Sequence, residues 1–165
     1  MRIDLREIIN IPGASVPFSC EMDTAALDFP SVESFTAPVK ASGLISNSAG
    51  ALTLRGTLTA EMIRICDRCA KEFAQKKVLE LDVPLAAELE DEENPDIFLL
   101  DGDELDLDEL LETCFILDLE VKCLCREDCA GLCPKCGKDL NGGACDCRKE
   151  IDPRMAVLEQ LLDKF

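Results

Sequence analysis

The sequence predicts an α+β protein: an antiparallel β-meander or partial barrel, then an acidic linker and helix, then a C-terminal cysteine-rich knuckle and helix. Three observations carry that expectation. Apolar residues alternate with polar ones from Leu52 to Met62 and again from Leu79 to Leu85, the period of two of a half-buried strand. No lysine or arginine occurs between Lys77 and Lys122, while residues 88–120 hold fifteen acids. Seven of the eleven cysteines crowd between Cys123 and Cys147, in a chain without histidine.

Taken in order, Ile3, Leu5 and Ile8 and the stretch 16–22 are expected to add outer strands. Ser46, Asn47, Ser48, Ala49 and Gly50 make a turn cluster, so segments near 36–45 and 51–65 should pair as a hairpin that 74–87 extends into a meander. Gly56 interrupts the second of these strands and suggests a bulge. Residues 1–90 then form a β-rich body.

Residues 88–96, with Pro95, are too charged to pack and read as a loop. Asp106 with Glu109 three residues on resembles a capping box, and Leu107, Leu110, Leu111 and Cys114 continue a helical stripe. Acids in that first turn suit the positive end of the helix dipole. Leu117, Leu119 and Val121 then alternate with Asp118, Glu120 and Lys122 as an extended segment. Linker, helix and extended segment make up 91–122, and the knuckle with a terminal helix makes up 123–165, all within one compact domain. For that last helix Asp152 is a good N-cap, Pro153 suits the first helical position, and Met155, Leu158, Leu161, Leu162 and Phe165 form an apolar stripe.

The run Cys133-Pro134-Lys135-Cys136-Gly137 has the spacing at which a turn aims two thiolates at one metal ion while backbone amides point at the sulfurs. Pro134 stiffens the approach, and Gly137 supplies the positive φ that such a turn commonly needs. With no histidine, the remaining ligands must be thiolates or, less often, carboxylates. The expectation is one structural zinc ion held by four of Cys125, Cys129, Cys133, Cys136, Cys145 and Cys147. Cys133 and Cys136 supply two ligands, Cys125 or Cys129 a third, and Cys145 or Cys147 a fourth, with Asn141-Gly142-Gly143 as a flexible return. Cys145 and Cys147, one residue apart, point to opposite sides of an extended segment.

A disulfide framework is the competing explanation, but its cysteines usually pair off evenly and here they number eleven. The first seven residues lack an apolar signal core, and no stretch approaches the roughly 20 apolar residues of a membrane span. A reduced, cytoplasmic setting without membrane attachment is expected. Cys66-Asp67-Arg68-Cys69 reads as half of a metal site, a redox dithiol or two ordinary thiols. It could complete the site of Cys133 and Cys136 over long range, although nearby cysteines need less loop ordering. Cys20 and Cys114 read as small buried hydrophobes.

The net charge of −17 is concentrated in the central block, since residues 1–77 carry nine acids and nine bases. That block reads as a solvated face or as a docking surface for a basic partner. Such a balance disfavours sequence-independent binding along a phosphate backbone, which needs a basic footprint. Seven Phe with no Trp or Tyr argue against stacking platforms for single strands. A local positive face remains available. Arg64, Arg68, Lys71, Lys76 and Lys77 fall within fourteen residues, opposed only by Asp67 and Glu72, and are candidates for contact with a partner or RNA. Without a histidine base, a nucleophile motif or a glycine-rich phosphate loop, neither catalytic residues nor a small-molecule substrate are expected. The alternative reading is a thiol redox or zinc-dependent enzyme.

The order of these motifs resembles the YceD family: R-x-C-D-R-C after a β-meander, an acidic linker, C-x3-C-x-G-L-C-x2-C-G-x-x-L-N…C-x-C, and a final D-P-R-x-x-x-L-x-x-L helix. The resemblance covers nearly the whole chain. It is most specific at Gly131-Leu132-Cys133, Cys136-Gly137, Leu140-Asn141 and Asp152-Pro153-Arg154. It implies a factor that supports accumulation of the large-subunit ribosomal RNA, with a ribosomal precursor or ribosomal protein as partner. It supplies no mechanism and no catalytic residue. Arg68 matches a recurrent family position, which makes it a candidate site residue. Some members lack the C-terminal cysteines, which implies that the knuckle stabilises the fold more than it performs the shared function.

Overall fold

The structure is a computed structural model that describes residues 1–22, 24, 32–87 and 97–147. The expected loop at 88–96 and the terminal helix starting near Asp152 lie outside those residues. Strands β1 (Arg2–Asp4), β2 (Ser15–Met22), β3 (Val32–Phe35), β4 (Val39–Ser48), β5 (Ala51–Ile65), β6 (Glu72–Ala86), β7 (Phe98–Leu99) and β8 (Glu104–Asp106) appear in chain order. Helix α1 (Arg6–Ile9) follows β1, and α2 (Leu107–Asp118) follows β8 directly.

The β4–β5–β6 meander predicted by the alternation is the centre of an open six-stranded sheet in the order β2-β4-β5-β6-β7, and β3 pairs with β5 beyond the end of β4. The sheet does not close into a partial barrel among the described residues. Its pairs are antiparallel except β6 with β7. Of the expected outer strands, β2 covers the second stretch and pairs with β4. Of Ile3, Leu5 and Ile8 only Ile3 is in a strand, β1, which pairs with β8 in a separate two-stranded ribbon, while Leu5 caps α1 and Ile8 lies within it.

The turn cluster closes as a two-residue hairpin in which Ser48 faces Ala51 and both Ala49 (φ 53°) and Gly50 (φ 96°) take left-handed backbone. Buried Asn47 fixes it. Its Nδ2 donates to the carbonyls of Ile8 and Ile9 at 2.7 and 2.8 Å, and its Oδ1 accepts from Gly50 N at 2.8 Å. A buried amide so fully partnered ties α1 to the hairpin without the cost of an orphaned polar group.

No bulge falls at Gly56. It stays in register, opposite Gly43 of β4 and Leu81 of β6. A Cβ built on Gly43 would lie 2.1 Å from Arg55 O, and one on Gly56 would lie 2.4 Å from Ser42 O. The glycine interrupts the pattern because two backbones cross there more closely than any side chain permits. The register irregularity lies instead between Val32 and Ser34.

Along β5 the inward period is Leu52, Leu54, Leu58, Ala60, Met62 and Arg64, all buried. Helix α2 packs Leu107, Leu110, Leu111 and Phe115 onto that face. Asp106 caps it, its side chain accepting from the amides of Asp108 and Glu109. The helix runs on to Asp118 before Leu119 turns extended, so Leu117, expected in an extended segment, is helical and 80 % exposed. Alternation over six residues suits a helix end as well as a strand, and the helix wins because its previous turns are already anchored.

Candidate metal centre

The sequence contains two copies of one short pattern, Cys66-Asp67-Arg68-Cys69-Ala70-Lys71 and Cys133-Pro134-Lys135-Cys136-Gly137-Lys138, and they fold into the same turn. In the first, Cys66 N donates to Lys71 O and Ala70 N to Cys66 O, at 2.9 and 2.8 Å. In the second, Cys133 N donates to Lys138 O and Gly137 N to Cys133 O, at 2.8 and 2.9 Å. The fifth residue has a positive φ in both, 53° at Ala70 and 70° at Gly137.

Each knuckle gathers a second pair of cysteines. Cys66 and Cys69 meet Cys125 and Cys129, and Cys133 and Cys136 meet Cys145 and Cys147; within each group the sulfurs all lie within 4.8 Å of one another. The six candidates for the four ligands of one ion are therefore divided between two tetrads: Cys125 and Cys129 leave the Cys133–Cys136 pair, and Cys145 and Cys147, expected to point apart, fall together. The separation into two has a physical cause in the residues between Cys66 and Cys69. Asp67 N donates to Cys123 O at 2.8 Å, and Cys123 N donates back to the Asp67 carboxylate at 2.6 Å. Arg68 Nη1 donates to Cys129 O, and Leu132 N to Arg68 O, at 2.7 and 3.0 Å. These bonds hold the first knuckle against 123–132.

The geometry fits a tetrahedral thiolate site. Cys66 and Cys129 sulfurs are 3.8 Å apart, as are those of Cys69 and Cys125. Four sulfurs about 2.3 Å from a central ion make a tetrahedron with edges of about 3.8 Å. A disulfide needs about 2.05 Å, and all eleven cysteines are free.

The electrostatics agree. Burial pushes the Cys66 thiol up, but amide donors from Cys125, Cys69 and Arg68 outweigh it and bring the pKa down to about 6. The amides of Cys136 and Lys135 bring Cys133 to about 6, and the Asn141 side chain lowers Cys129. The partners move the other way. Burial and the adjacent thiols push Cys125 to about 12, and Cys147 is pushed to about 12 first by its hydrogen bond with Cys136. Four negative sulfurs cannot share so small a space without a cation, so protons are retained on some of them. A divalent cation does the same work, with every ligand deprotonated.

Asn141, expected as part of a flexible return and as a position of the family motif, connects the loop of the second tetrad to the first. Its Nδ2 reaches Cys129 Sγ at 3.4 Å and Asp139 at 2.7 Å, and its Oδ1 accepts from Ala130 N and Arg126 Nη2, both at 2.8 Å. Cys20 and Cys114 pack half-buried beside the core, and burial raises both thiols. Cys123 is buried but belongs to neither group.

The five clustered cations do not form one exposed face. Arg64 lies on the inward period of β5 and is 1 % exposed, its Nη1 donating to Gln75 and Glu120 at 3.0 and 2.7 Å. Lys77, on the inward period of β6, pairs with Asp118 at 2.9 Å and Glu120 at 3.0 Å. Burial raises Glu120, but Lys77, a backbone amide and Arg64 together bring it to about 2. Lys71 pairs with Asp139 and Lys76 with Glu61, while Arg68 is bound to Cys129 O as described. Strand periodicity separates what sequence proximity had grouped.

The family model described as "Large ribosomal RNA subunit accumulation protein YceD" matches residues 54–162, a stretch that contains both knuckles and α2. Uncharacterized proteins of Mycobacterium bovis and of two strains of Mycobacterium tuberculosis are each 32% identical to the chain over 121 residues, covering 71% of this chain and 58% of the relative. The chain thus spans less than two thirds of the length of these relatives. No solved structure matches it significantly. Among the described residues no helix is long and apolar enough to cross a membrane. Since the matched stretch takes in most of the chain, including every cysteine of the two tetrads, this protein belongs to the YceD family.

Proposed function

We propose that the chain is a non-enzymatic factor that supports accumulation of the large-subunit ribosomal RNA, acting on a ribosomal precursor or ribosomal protein, and that its tetrads are structural zinc sites. The observation that carries the metal reading is the closure of both tetrads. Soft thiolates at tetrahedral spacing suit zinc, and four of them leave no position for a substrate or water. The ribosomal role rests on the family's description. A partner of basic character fits the exposed acids Asp101, Asp103, Asp108 and Glu109 beside the N-terminus of α2, although the first three already face Arg2, Arg6 and the amino group of Met1. One observation favours thiol redox chemistry, the lowered Cys66 and Cys133 thiols, but such a dithiol needs an accessible nucleophile and both sulfurs belong to buried residues.

The test is depletion of the protein in its own cell, with large- and small-subunit ribosomal RNA quantified together. The large-subunit species is expected to fall while the small-subunit species holds, with recovery on re-expression. An unchanged ratio would remove the ribosomal role. Complementation by Cys66→Ala, at matched protein level, separates the two readings: a redox enzyme loses all activity, whereas a scaffold retains activity in proportion to the folded fraction.

A further inference from the structure

The inward face of the β5–β6 hairpin ends in a pocket of about 420 Å³ whose wall includes Arg64, Phe73 and Gln75 from the strands and Lys122, Leu124 and Arg126 from the segment after α2. That volume lies in the range of small-molecule sites, roughly 300–1,000 Å³. Arg64 commits Nη1 to Gln75 and Glu120. Its Nε and Nη2 are buried and have no acceptor among the described residues. These two groups form the side-on edge of the guanidinium, a pair of parallel donors matched in spacing to two oxygens of one phosphate or carboxylate. Leaving both donors of one edge unpaired in the interior is costly unless something is built to meet them.

The surrounding charge points the same way. In a chain of net charge −17, three cations converge here, Arg64, Lys122 and Arg126, the last already engaged by Asp128 at 3.2 Å and by Asn141 at 2.8 Å. The carboxylates in the wall are Glu120, already shared between Arg64 and Lys77, and Glu127. Phe73, the cross-strand partner of Arg64, and Leu124 add an apolar side.

We propose that this pocket binds the phosphate group of a nucleotide, free or as a phosphodiester of single-stranded RNA. The phosphate lies on the side-on edge of Arg64 with Lys122 and Arg126 around it, and the base lies against Phe73 and Leu124. Solvent does not reach Nε and Nη2, so admitting the phosphate requires the wall of the pocket to open around Arg64. The site stands on the geometry around Arg64 and does not depend on the ribosomal role.

The test titrates the metal-loaded full-length chain with uridine 5′-monophosphate, uridine and a short oligouridylate while the Arg64 Nε–H resonance is followed by NMR. The monophosphate or the oligouridylate is expected to move that resonance, with affinity falling as salt rises, and uridine is not. The double variant Lys122→Glu/Arg126→Glu is expected to weaken binding roughly tenfold or more, the scale of a charge-assisted hydrogen bond, with metal content measured alongside because Arg126 also donates to Asn141. Arg64→Lys, which keeps the charge but loses the fork, should weaken it similarly with metal content unchanged. Stronger binding of the oligouridylate identifies RNA as the source, and equal or weaker binding identifies the free nucleotide. An unmoved Arg64 resonance with both phosphates, uridine binding as well as its monophosphate, or full affinity in the double variant would each overturn the proposal.

Discussion

Ala70 occupies, at φ 53°, the place in the first knuckle that Gly137 fills at φ 70° in the second. A Cβ in left-handed backbone costs about 1–2 kcal/mol, partly offset because glycine has more unfolded-state freedom to lose. Ala70→Gly is therefore expected to stabilise the metal-loaded protein by about 0.5–1 kcal/mol, read as a higher denaturant midpoint at unchanged slope. A lower midpoint would mean that the methyl group contributes more by contact than it costs by strain. Gly137 and the Cys133–Cys136 pair were legible because spacing and turn chemistry are local. Asn141 was not, since its bonds to Cys129 and Ala130 exist only once two segments lie side by side. Arg64 was half legible: carrying the period of two on from Met62 places it on the buried face.

At the level of elements, β5, β6 and the end of α2 are joined by Glu120, which receives Arg64 and Lys77 at 2.7 and 3.0 Å. Glu120→Gln leaves the buried Arg64 without its carboxylate. The loss is expected to be about 1–3 kcal/mol, below the cost for a fully buried pair because the Glu120 side chain is 48 % exposed. Equilibrium unfolding of the variant against wild type checks it, and a change under about 0.3 kcal/mol would make the clamp decorative. The pH dependence has a definite sign. The Glu120 pKa is depressed in the folded chain, so its stabilisation is present above the ordinary value near 4.5 and is lost as pH falls toward about 2. The variant should lack that part of the acid dependence. The β-meander and the α2 cap were readable from alternation and from Asp106, because both are set by neighbouring residues. The end of α2 was not, because packing of its earlier turns outweighed a short alternating pattern.

Over the whole molecule, the division of the cysteines into two groups was the feature least visible in the chain. Proximity favours partners within the 123–147 run, yet Cys69 sits beside Cys125 across 56 positions. The Asp67 and Arg68 bonds to Cys123 and Cys129 cover that distance, and nothing local announces them. Two metal equivalents per chain are expected. Cys69→Ser should remove one and lower the stability of the sheet and α2 together, whereas Cys136→Ser should remove one and leave the sheet nearly unchanged. Metal analysis with denaturant unfolding of each variant decides this, and a single equivalent in the wild type would refute it. The two sites also differ in when they can exist. The second needs only the fifteen residues from Cys133 to Cys147, so a nascent or unfolded chain can close it. The first requires the β5–β6 turn and the segment after α2 to have met, so an ion held there would be the last to arrive, and its capture would mark a chain whose sheet and α2 are already in place.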